Sequence, residues 1–267
     1  MSNLRLIESR THVIAVEGDR VTGTIGVSLQ PGRVGLVFPP ELDRAAGNVA
    51  DRLIDAAVRR LSRAGAAFIE LVLDPKDESV AAPFLRAGFQ HLTDAVLLEK
   101  HLDRTVANAP PSGLEATAVE PGSDRNRLID LIRRINSGSL DCPELDAWRT
   151  PTDLLDAHHS HSLGGRARWW RYAADGADVG LVFGTVAEDD EAWEILFIGV
   201  VPEQRGNSFG CRMLDHFHAH AHAATQSPIV RVGVDSRNHY ARTLYNNCSY
   251  RQTGRVRVWI HPPLETA

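Results

Sequence analysis

Long apolar runs are missing from this chain. None approaches the roughly 20 residues that a bilayer-spanning helix needs, and the opening "MSNLRLIESR" lacks the apolar core of a signal peptide. Cysteine is scarce. Cys142, Cys211 and Cys248 are three among 267 residues, with no close-spaced ligand pair. An odd count without a framework of pairs points to a reducing compartment, so a cytoplasmic protein is expected. Positive charge is also short: 29 Lys and Arg stand against 34 Asp and Glu, a formal net charge of −5. That balance gives no global attraction to nucleic acid or to an anionic membrane, and neither is expected as a partner. An anionic ligand would have to be held by a local arrangement of donors.

What is present is ample apolar matter. A hydrophobic content of 43% and a charged fraction of 24% suit one large domain or two small ones. The first segment is strand-rich: "HVIAVEGD", "VTGTIGVSL" and "RVGLVF" are apolar or alternating runs between turn letters. Apolar residues at 49, 53, 54, 57, 58 and 61 then follow helical spacing up to Gly65. "AFIELVLD" reads as a strand, "ESVAAPFLRAGF" as a short helix despite Pro83, and "DAVLLEKHL" as a closing strand. Residues 102–112, "LDRTVANAPPS", carry a Pro-Pro pair and little apolar matter, and read as a linker. The expected division is therefore a first unit at 1–101, the linker at 102–112 and a second unit at 113–267.

The second unit opens with helical stretches around "DRNRLIDLIRRINSG" and "PELDAWRTPTDLLDAHHS". Strands "ARWWRYAAD", "DVGLVFGTVAE" and "AWEILFIGVV" follow, then a helix at 209–223, a strand "IVRVGVD", a short helix "YARTLYNNC" and a last strand "GRVRVWI". The two units read as a divergent repeat. "VDSRNHYARTLYNNCSY" (234–250) aligns without a gap on "LDPKDESVAAPFLRAGF" (73–89), so that Asp235 meets Asp74, Tyr245 meets Phe84 and Tyr250 meets Phe89.

One turn carries chemistry. "QRGNSFG", residues 204–210, links a strand to an amphipathic helix whose Met213, Leu214, Phe217 and Ala221 would face inward. A helix start offers free backbone N–H groups and the positive end of the dipole, which together suit a phosphate group. Taken alone, the turn is equally compatible with a plain strand-to-helix connection.

In context it resembles the GCN5-related N-acetyltransferase (GNAT) family. The family's turn signature is Gln or Arg, two residues, Gly, one residue, then Gly or Ala. Arg205 and Gly210 match it, and Ser208 replaces the middle glycine. The second signature, Asn at a strand end followed by Leu-Tyr and Gly-Phe, reads here as Asn238, Leu244-Tyr245 and Ser249-Tyr250. The resemblance covers 114–260 and, more faintly, 11–100. Two such units in one chain are similar to the tandem layout of mycothiol synthases.

That resemblance implies an α/β (α+β) chain of two GNAT-like units. Each would be a mixed, mostly antiparallel sheet flanked by helices, the N-terminal one truncated and degenerate. It implies a sheet that splays at "LFIGV", with the pantetheine arm of acetyl-CoA pairing with backbone at Ile198, Gly199 and Val200. The pyrophosphate would rest on the amides of Arg205, Gly206, Asn207, Ser208, Phe209 and Gly210, with Asn238 nearby. Glu194 would be the general base and Tyr245 the acid that protonates the leaving thiolate. The implied activity is N-acetyl transfer from acetyl-CoA to a primary amine in a ternary complex, with no metal. A non-catalytic acyl-CoA-binding or sensing protein is the rival, since two signature glycines are replaced, and a scaffold without CoA is a third reading. A homodimer is compatible with the sequence, which does not specify one.

Four histidines, His216, His218, His220 and His222, lie on one helix and are expected to be exposed rather than metal-bound. "HHSH" (158–161) reads as a loop or helix end, Cys211 as a small packing residue, and Trp169 and Trp170 as core and edge. Acceptor recognition is expected from 136–148, where Asp141, Glu144 and Asp146 would suit a cationic amine. The first unit is expected to be silent: Phe84 replaces Tyr245, Asp77 replaces Asn238, and Val49 follows the Arg44–Gly47 remnant of the turn.

Overall fold

The computed structural model describes residues 4–43, 48–102, 113–120, 122–160, 167–187, 192–224 and 229–264. The linker reading at 102–112 falls almost wholly outside these residues, as do Arg44, Gly47 and His161. In chain order the first half gives β1 (Leu4–Glu8), β2 (His12–Glu17), β3 (Arg20–Gln30), β4 (Val34–Val37), β5 (Glu41–Leu42), α1 (Val49–Arg63), β6 (Phe68–Leu73), α2 (Glu78–Arg86) and β7 (Gln90–His101). The second half gives β8 (Glu115–Val119), α3 (Arg125–Asn136), α4 (Pro151–Ser160), β9 (Ala167–Ala174), β10 (Ala177–Val186) and β11 (Trp193–Val200). It ends with α5 (Phe209–Ala224), β12 (Ile229–Asp235), α6 (His239–Asn247) and β13 (Arg251–His261).

Packing groups these elements into two units. The first takes Met1–Asp94, Glu144–Arg149 and Arg255–Ala267; the second takes Ala95–Pro143 and Thr150–Gly254. In the first, the strand order is β1-β2-β3-β4-β6-β13, antiparallel except for the pair β4–β6. In the second it is β7-β12-β11-β10-β9-β8, antiparallel except for β11–β12. Each sheet thus has one central parallel pair, and a helix links its two strands, α1 in one and α5 in the other, as parallel neighbours require.

The repeat read in the sequence is a repeat in space. α6 begins and ends 161 positions after α2, and β13 begins 161 positions after β7. Phe84 and Phe89 meet edge-on with centroids 5.2 Å apart; Tyr245 and Tyr250 do the same at 5.0 Å. Asp74 accepts a hydrogen bond from the Lys76 amide and Asp235 from the Arg237 amide, each at 2.9 Å. Gly88 and Ser249 close the two helices with φ of 97° and 65°. Serine thus holds a left-handed conformation in which its Cβ is strained and glycine's absence of one is not.

The equivalent strands β7 and β13 have exchanged places. Residues 95–101 of β7, encoded in the first half, complete the second sheet, register partners running from Ala95–Asp235 to His101–Ile229. Residues 257–261 of β13 complete the first sheet against β6. Division by chain order remains the proposed account of the duplication, while packing follows the exchange.

In the second unit one face of the sheet is covered by α5 and α6, burying Trp170, Tyr172, Trp193, Met213, Leu214 and Phe217. The other is covered by α3 and α4, burying Leu128, Ile132, Leu154, Trp169 and Phe183. Trp169 and Trp170 therefore both lie in cores, on opposite faces, because consecutive strand residues alternate. The edge placement expected for one of them is corrected: β9 lies between β8 and β10. Among the described residues, no helix is long and apolar enough to cross a membrane.

Candidate functional site

β11 is the strand on which the site is built. On one side it pairs with β10 along its length, from Trp193–Val186 to Val200–Gly180. The pairing slips between Phe183 and Gly184, so Leu196 is the extra residue of a β-bulge. On the other side it meets β12 at Trp193–Val230 and Glu194–Arg231, and the register ends there. From Ile195 to Val200 the edge facing β12 has no strand partner among the described residues, so Ile198, Gly199 and Val200 border an opening between parallel strands. This is the splay that the sequence resemblance implied.

Gly199 has a second role that the sequence did not reveal. A Cβ at this position would lie 2.1 Å from Cγ2 of Ile135, so glycine is what lets α3 close against β11. Past the opening's wide end, a short turn leads to α5. Gly206 has φ 82° and Ser208 φ 59°. The serine that replaces glycine adopts the left-handed conformation all the same, at a cost on the order of 1 kcal/mol. The Ser208 carbonyl accepts from the Arg212 amide at 3.2 Å and so opens the helix. Helix geometry leaves the first amides of α5 without intrahelical acceptors. Gly210 does not face this seat: an added Cβ would meet Leu244 Cδ2 at 3.2 Å, so its smallness serves the packing of α5 on α6.

Arg205 contributes its backbone to the turn, while its guanidinium points elsewhere. It donates to the carbonyls of Ile135 (2.8 Å), Val200 (3.2 Å), Ser137 (3.3 Å) and Gly138 (3.4 Å). These are the last carbonyls of α3 and the end of β11, where a cation meets the negative end of a helix dipole. Glu203 adds a 2.5 Å contact to Arg134 of α3, which holds its carboxyl below the usual range. At the end of β12, Asp235 is 3% exposed. It accepts from Arg237 Nη2 at 2.7 Å and from the Cys142 amide at 3.2 Å. The segment from α3 to Cys142 is thereby fixed at both ends, to the turn after β11 and to the end of β12. Cys142 has φ 47°, and burial together with Asp141 and Asp235 pushes its thiol well above the usual range.

Asn238 caps α6, its Oδ1 accepting from the Ala241 amide at 3.1 Å. Tyr245, two turns on, is 2% exposed. Burial, then the charges of Asp141 and Cys248, push its phenol above the ordinary tyrosine range. Behind it, the Tyr250 hydroxyl lies 2.8 Å from Nε2 of His218, and Lys100 Nζ donates to the Cys248 carbonyl at 2.7 Å.

A cavity of about 550 Å³ lies at the narrow end of the opening, lined by Leu97, Leu98, Glu194, Ile195, Leu196, Arg231, Val232, Gly233 and Thr253. Glu194 is thus the predicted residue that faces a pocket. The expected acceptor acids are elsewhere: Glu144 and Asp146 pack with the first unit and Asp141 with the second, and none lines this cavity. Arg231 and the β7 residues were missed because charged or apolar letters in a strand do not reveal which strand lies beside them.

The helix histidines are corrected too. His218 is 1% exposed, and His216 and His220 are partly buried against Trp170. His216 Nδ1 lies 2.9 Å from the Tyr172 hydroxyl. The sheet and its tryptophans wrap more of α5 than a simple amphipathic stripe would allow. Cys211 packs against the same core, as expected of a small filler.

No protein-family model and no curated protein sequence matches the chain. Solved structures do match its fold. A GCN5-related N-acetyltransferase from Sphaerobacter thermophilus aligns with a TM-score of 0.64 at 15% identity, over 96% of this chain and 81% of that one. A tandem GNAT protein from the clavulanic acid biosynthesis pathway aligns at 0.58 and 14%, over 96% and 83%. A GCN5-related N-acetyltransferase from Kribbella flavida aligns at 0.53 and 13%, over 97% and 90%. The chain has the GNAT fold in a tandem, two-unit arrangement.

Proposed function

We propose that the second unit transfers an acetyl group from acetyl-CoA to a primary amine by direct attack in a ternary complex. The observation that carries this reading is the opening of β11 from β12 directly after Glu194, with a helix start at its wide end and a cavity at its narrow end. The residues fit such a donor. The turn 205–210 presents amides, a left-handed backbone and the positive end of α5 to a pyrophosphate. The unpaired edge at Ile198, Gly199 and Val200 suits the amides of a pantetheine arm, which would pair as a strand does. Asn238 keeps its side-chain NH₂ available as a donor while its carbonyl caps α6.

Glu194 takes a proton from the acceptor's ammonium, directly or through one water. The freed nitrogen attacks the thioester carbonyl, the C–S bond breaks as the carbonyl re-forms, and the proton that the nitrogen sheds neutralises the departing thiolate. Tyr245 donates a hydrogen bond to the departing sulfur. Its burial keeps the phenol protonated at neutral pH, so it is poised as donor rather than as phenolate. Binding both substrates together exploits positioning, which does not require a covalent intermediate.

Titration of the pure chain with acetyl-CoA, followed by free-thiol release with a panel of amines, tests this. Binding and amine-dependent release are expected. Binding without release by any amine would favour the acyl-CoA-sensing reading, and absence of binding would reject both.

A further inference from the structure

One row of the second sheet is nearly emptied of side chains. Leu97 of β7 and Gly233 of β12 are register partners, and both line the cavity beside Glu194. On the other side of β7 lies Gly254, in the part of β13 that belongs to the second unit. Leu97 thus stands between two glycines. A Cβ on Gly254 would have Leu97 Cδ1, Cβ and Cγ at 3.4, 3.9 and 4.0 Å, whereas a Cβ on Gly233 would have only Leu97 Cδ2, at 3.9 Å. The leucine leans over Gly254 and leaves a hollow above Gly233. Neither glycine has a positive φ, so neither is required by its backbone conformation.

The fold does not ask for this hollow. Val72 stands 161 positions before Gly233 and Val258 stands 161 positions after Leu97, the offset that relates α2 to α6. Val72 and Val258 are again register partners. The equivalent of Gly254 is Thr93. The first unit therefore carries three β-branched side chains where the second has one leucine between glycines. Glycine inside a strand weakens it, and where the same fold accepts valine the glycine marks room for something else to approach.

That room is apolar and is reached from Glu194. Leu98, Ile195, Leu196 and Val232 complete the cavity wall beside Glu194, Arg231 and Thr253. Gly233 is two residues along β12 from Arg231, the register partner of Glu194, which is about 7 Å of strand. A guest with its nitrogen at Glu194 meets the hollow with its far end, and a two-carbon amine falls short of it. Resting on the acetyl-transfer reading, we propose that the acceptor is a primary amine with an apolar tail seated over Gly233, and that Leu97 with its two glycines sets the size of that tail. Leu97 is then the specificity-determining side chain, on a strand encoded in the first half of the chain.

Ethylamine and hexylamine share the amine and differ in the tail. Calorimetry on the full chain saturated with CoA reads the pocket without chemistry, and thiol release with acetyl-CoA reads the reaction. Hexylamine is expected to bind about tenfold or more tightly than ethylamine, since each methylene removed from water contributes about fourfold. Gly233→Val fills the hollow directly and should bring the ratio close to one. Gly254→Val acts indirectly, by pushing Leu97 back over Gly233, and should lower the ratio as well, so the test survives the misfolding of either variant. Leu97→Ala widens the hollow and should raise the affinity for naphthylmethylamine about tenfold relative to hexylamine. Parent-like acetyl-CoA affinity is the check on folding throughout. The tail preference and its loss in the glycine variants, without thiol release, would support the pocket while rejecting acetyl transfer. Equal binding of ethylamine and hexylamine, binding of neither, the parent ratio in a folded Gly233→Val or Gly254→Val protein, or unchanged selectivity in a folded Leu97→Ala protein would overturn the proposal.

Discussion

Glu194 and Arg231 are the last residues at which β11 and β12 are in register. Two residues on, the bulge at Leu196 turns β11 away, and the strands do not meet again. The carboxylate thus sits at the apex of the opening. From there to Val200, at the rim near the turn, is six residues, or about 20 Å of strand. A donor anchored by its phosphates at the rim would bring its acyl end to this apex, which is where a base is useful.

Glu194→Gln keeps the side chain's shape and removes its basicity. Turnover is expected to fall about 10²- to 10⁴-fold, the usual contribution of a positioned base, with acetyl-CoA affinity unchanged by calorimetry. A parent-like turnover and pH–rate profile would show that Glu194 is not the base.

Ser208 offers a clean probe of the phosphate seat. Asp tolerates a left-handed backbone and suits a helix start, so Ser208→Asp should leave the melting temperature unchanged or raised. Its charge would nevertheless oppose the pyrophosphate. Acetyl-CoA affinity should drop by at least about tenfold, the scale set for like charges in contact. Undiminished affinity in a stable variant would place the phosphates elsewhere.

One acetyl-CoA per chain is expected at saturation. Phe84 stands in the place of Tyr245 and packs on Phe89 as Tyr245 packs on Tyr250, so the first unit keeps the aromatic frame and lacks the hydroxyl. Asp77 precedes α2 where Asn238 caps α6, and brings a negative charge to that position. Two sites of comparable affinity in calorimetry would contradict this.

Residues 113–267 expressed alone should not yield the folded second unit. They lack Ala95–His101, the strand that pairs with β12 from Ile229 to Asp235, and they lack Leu97 and Leu98 of the cavity wall. An unpaired edge at β12 invites association with other chains. Aggregation, or recovery on adding a peptide of residues 90–101, is the expected result by size-exclusion chromatography. A monomeric fragment with native acetyl-CoA affinity would show the exchange to be dispensable.

Acid should destabilise the protein through buried histidine. Burial, with the charge of Lys100, depresses the His218 pKa from an ordinary 6.5 to about 3. His216 and His220 are also lowered, chiefly by burial. Between these values the unfolded chain binds protons that the folded chain refuses. The stabilising contribution of neutral His218 is therefore complete above about pH 6.5 and is lost as pH falls toward 3, by up to about 1.4 kcal/mol per pH unit. Urea unfolding at stepped pH should show this slope. His218→Leu combined with Tyr250→Phe, which removes donor and acceptor together, should flatten it. The same acid slope in the double variant would assign it to other groups.

Local letters were enough for much of this. The strand at "EILFIGV", the turn at Arg205–Gly210 and the helix after it follow from period, Gly and Pro placement, and the free amides at a helix start. The gapless match of 73–89 to 234–250 identified α2 and α6 as equivalent helices, since both copies carry the same turn and closing contacts, although the stretches read as helix ran one to three residues past their ends. Roles that depend on distant neighbours were not legible. Arg205 enters the sequence reading through its amide; that its guanidinium is engaged by the carbonyls of Ile135, Ser137 and Gly138 was not legible. The histidines of α5 read as solvent-facing because their burial is imposed by Trp170, Tyr172 and Tyr250, which lie far away in sequence.

The sequence by itself determined the two repeats, their elements and the strand that carries Glu194, because each depends on short-range pattern and local backbone chemistry. Only the tertiary structure decided which strand completes which sheet. β7 and β13 are equivalent copies at equivalent positions, so alternation along either strand is compatible with either neighbour. Non-local hydrogen bonding to β12 or β6 makes the choice. That choice brings Leu97 and Glu99, encoded in the first half of the chain, beside Arg231 and Gly233 of the second.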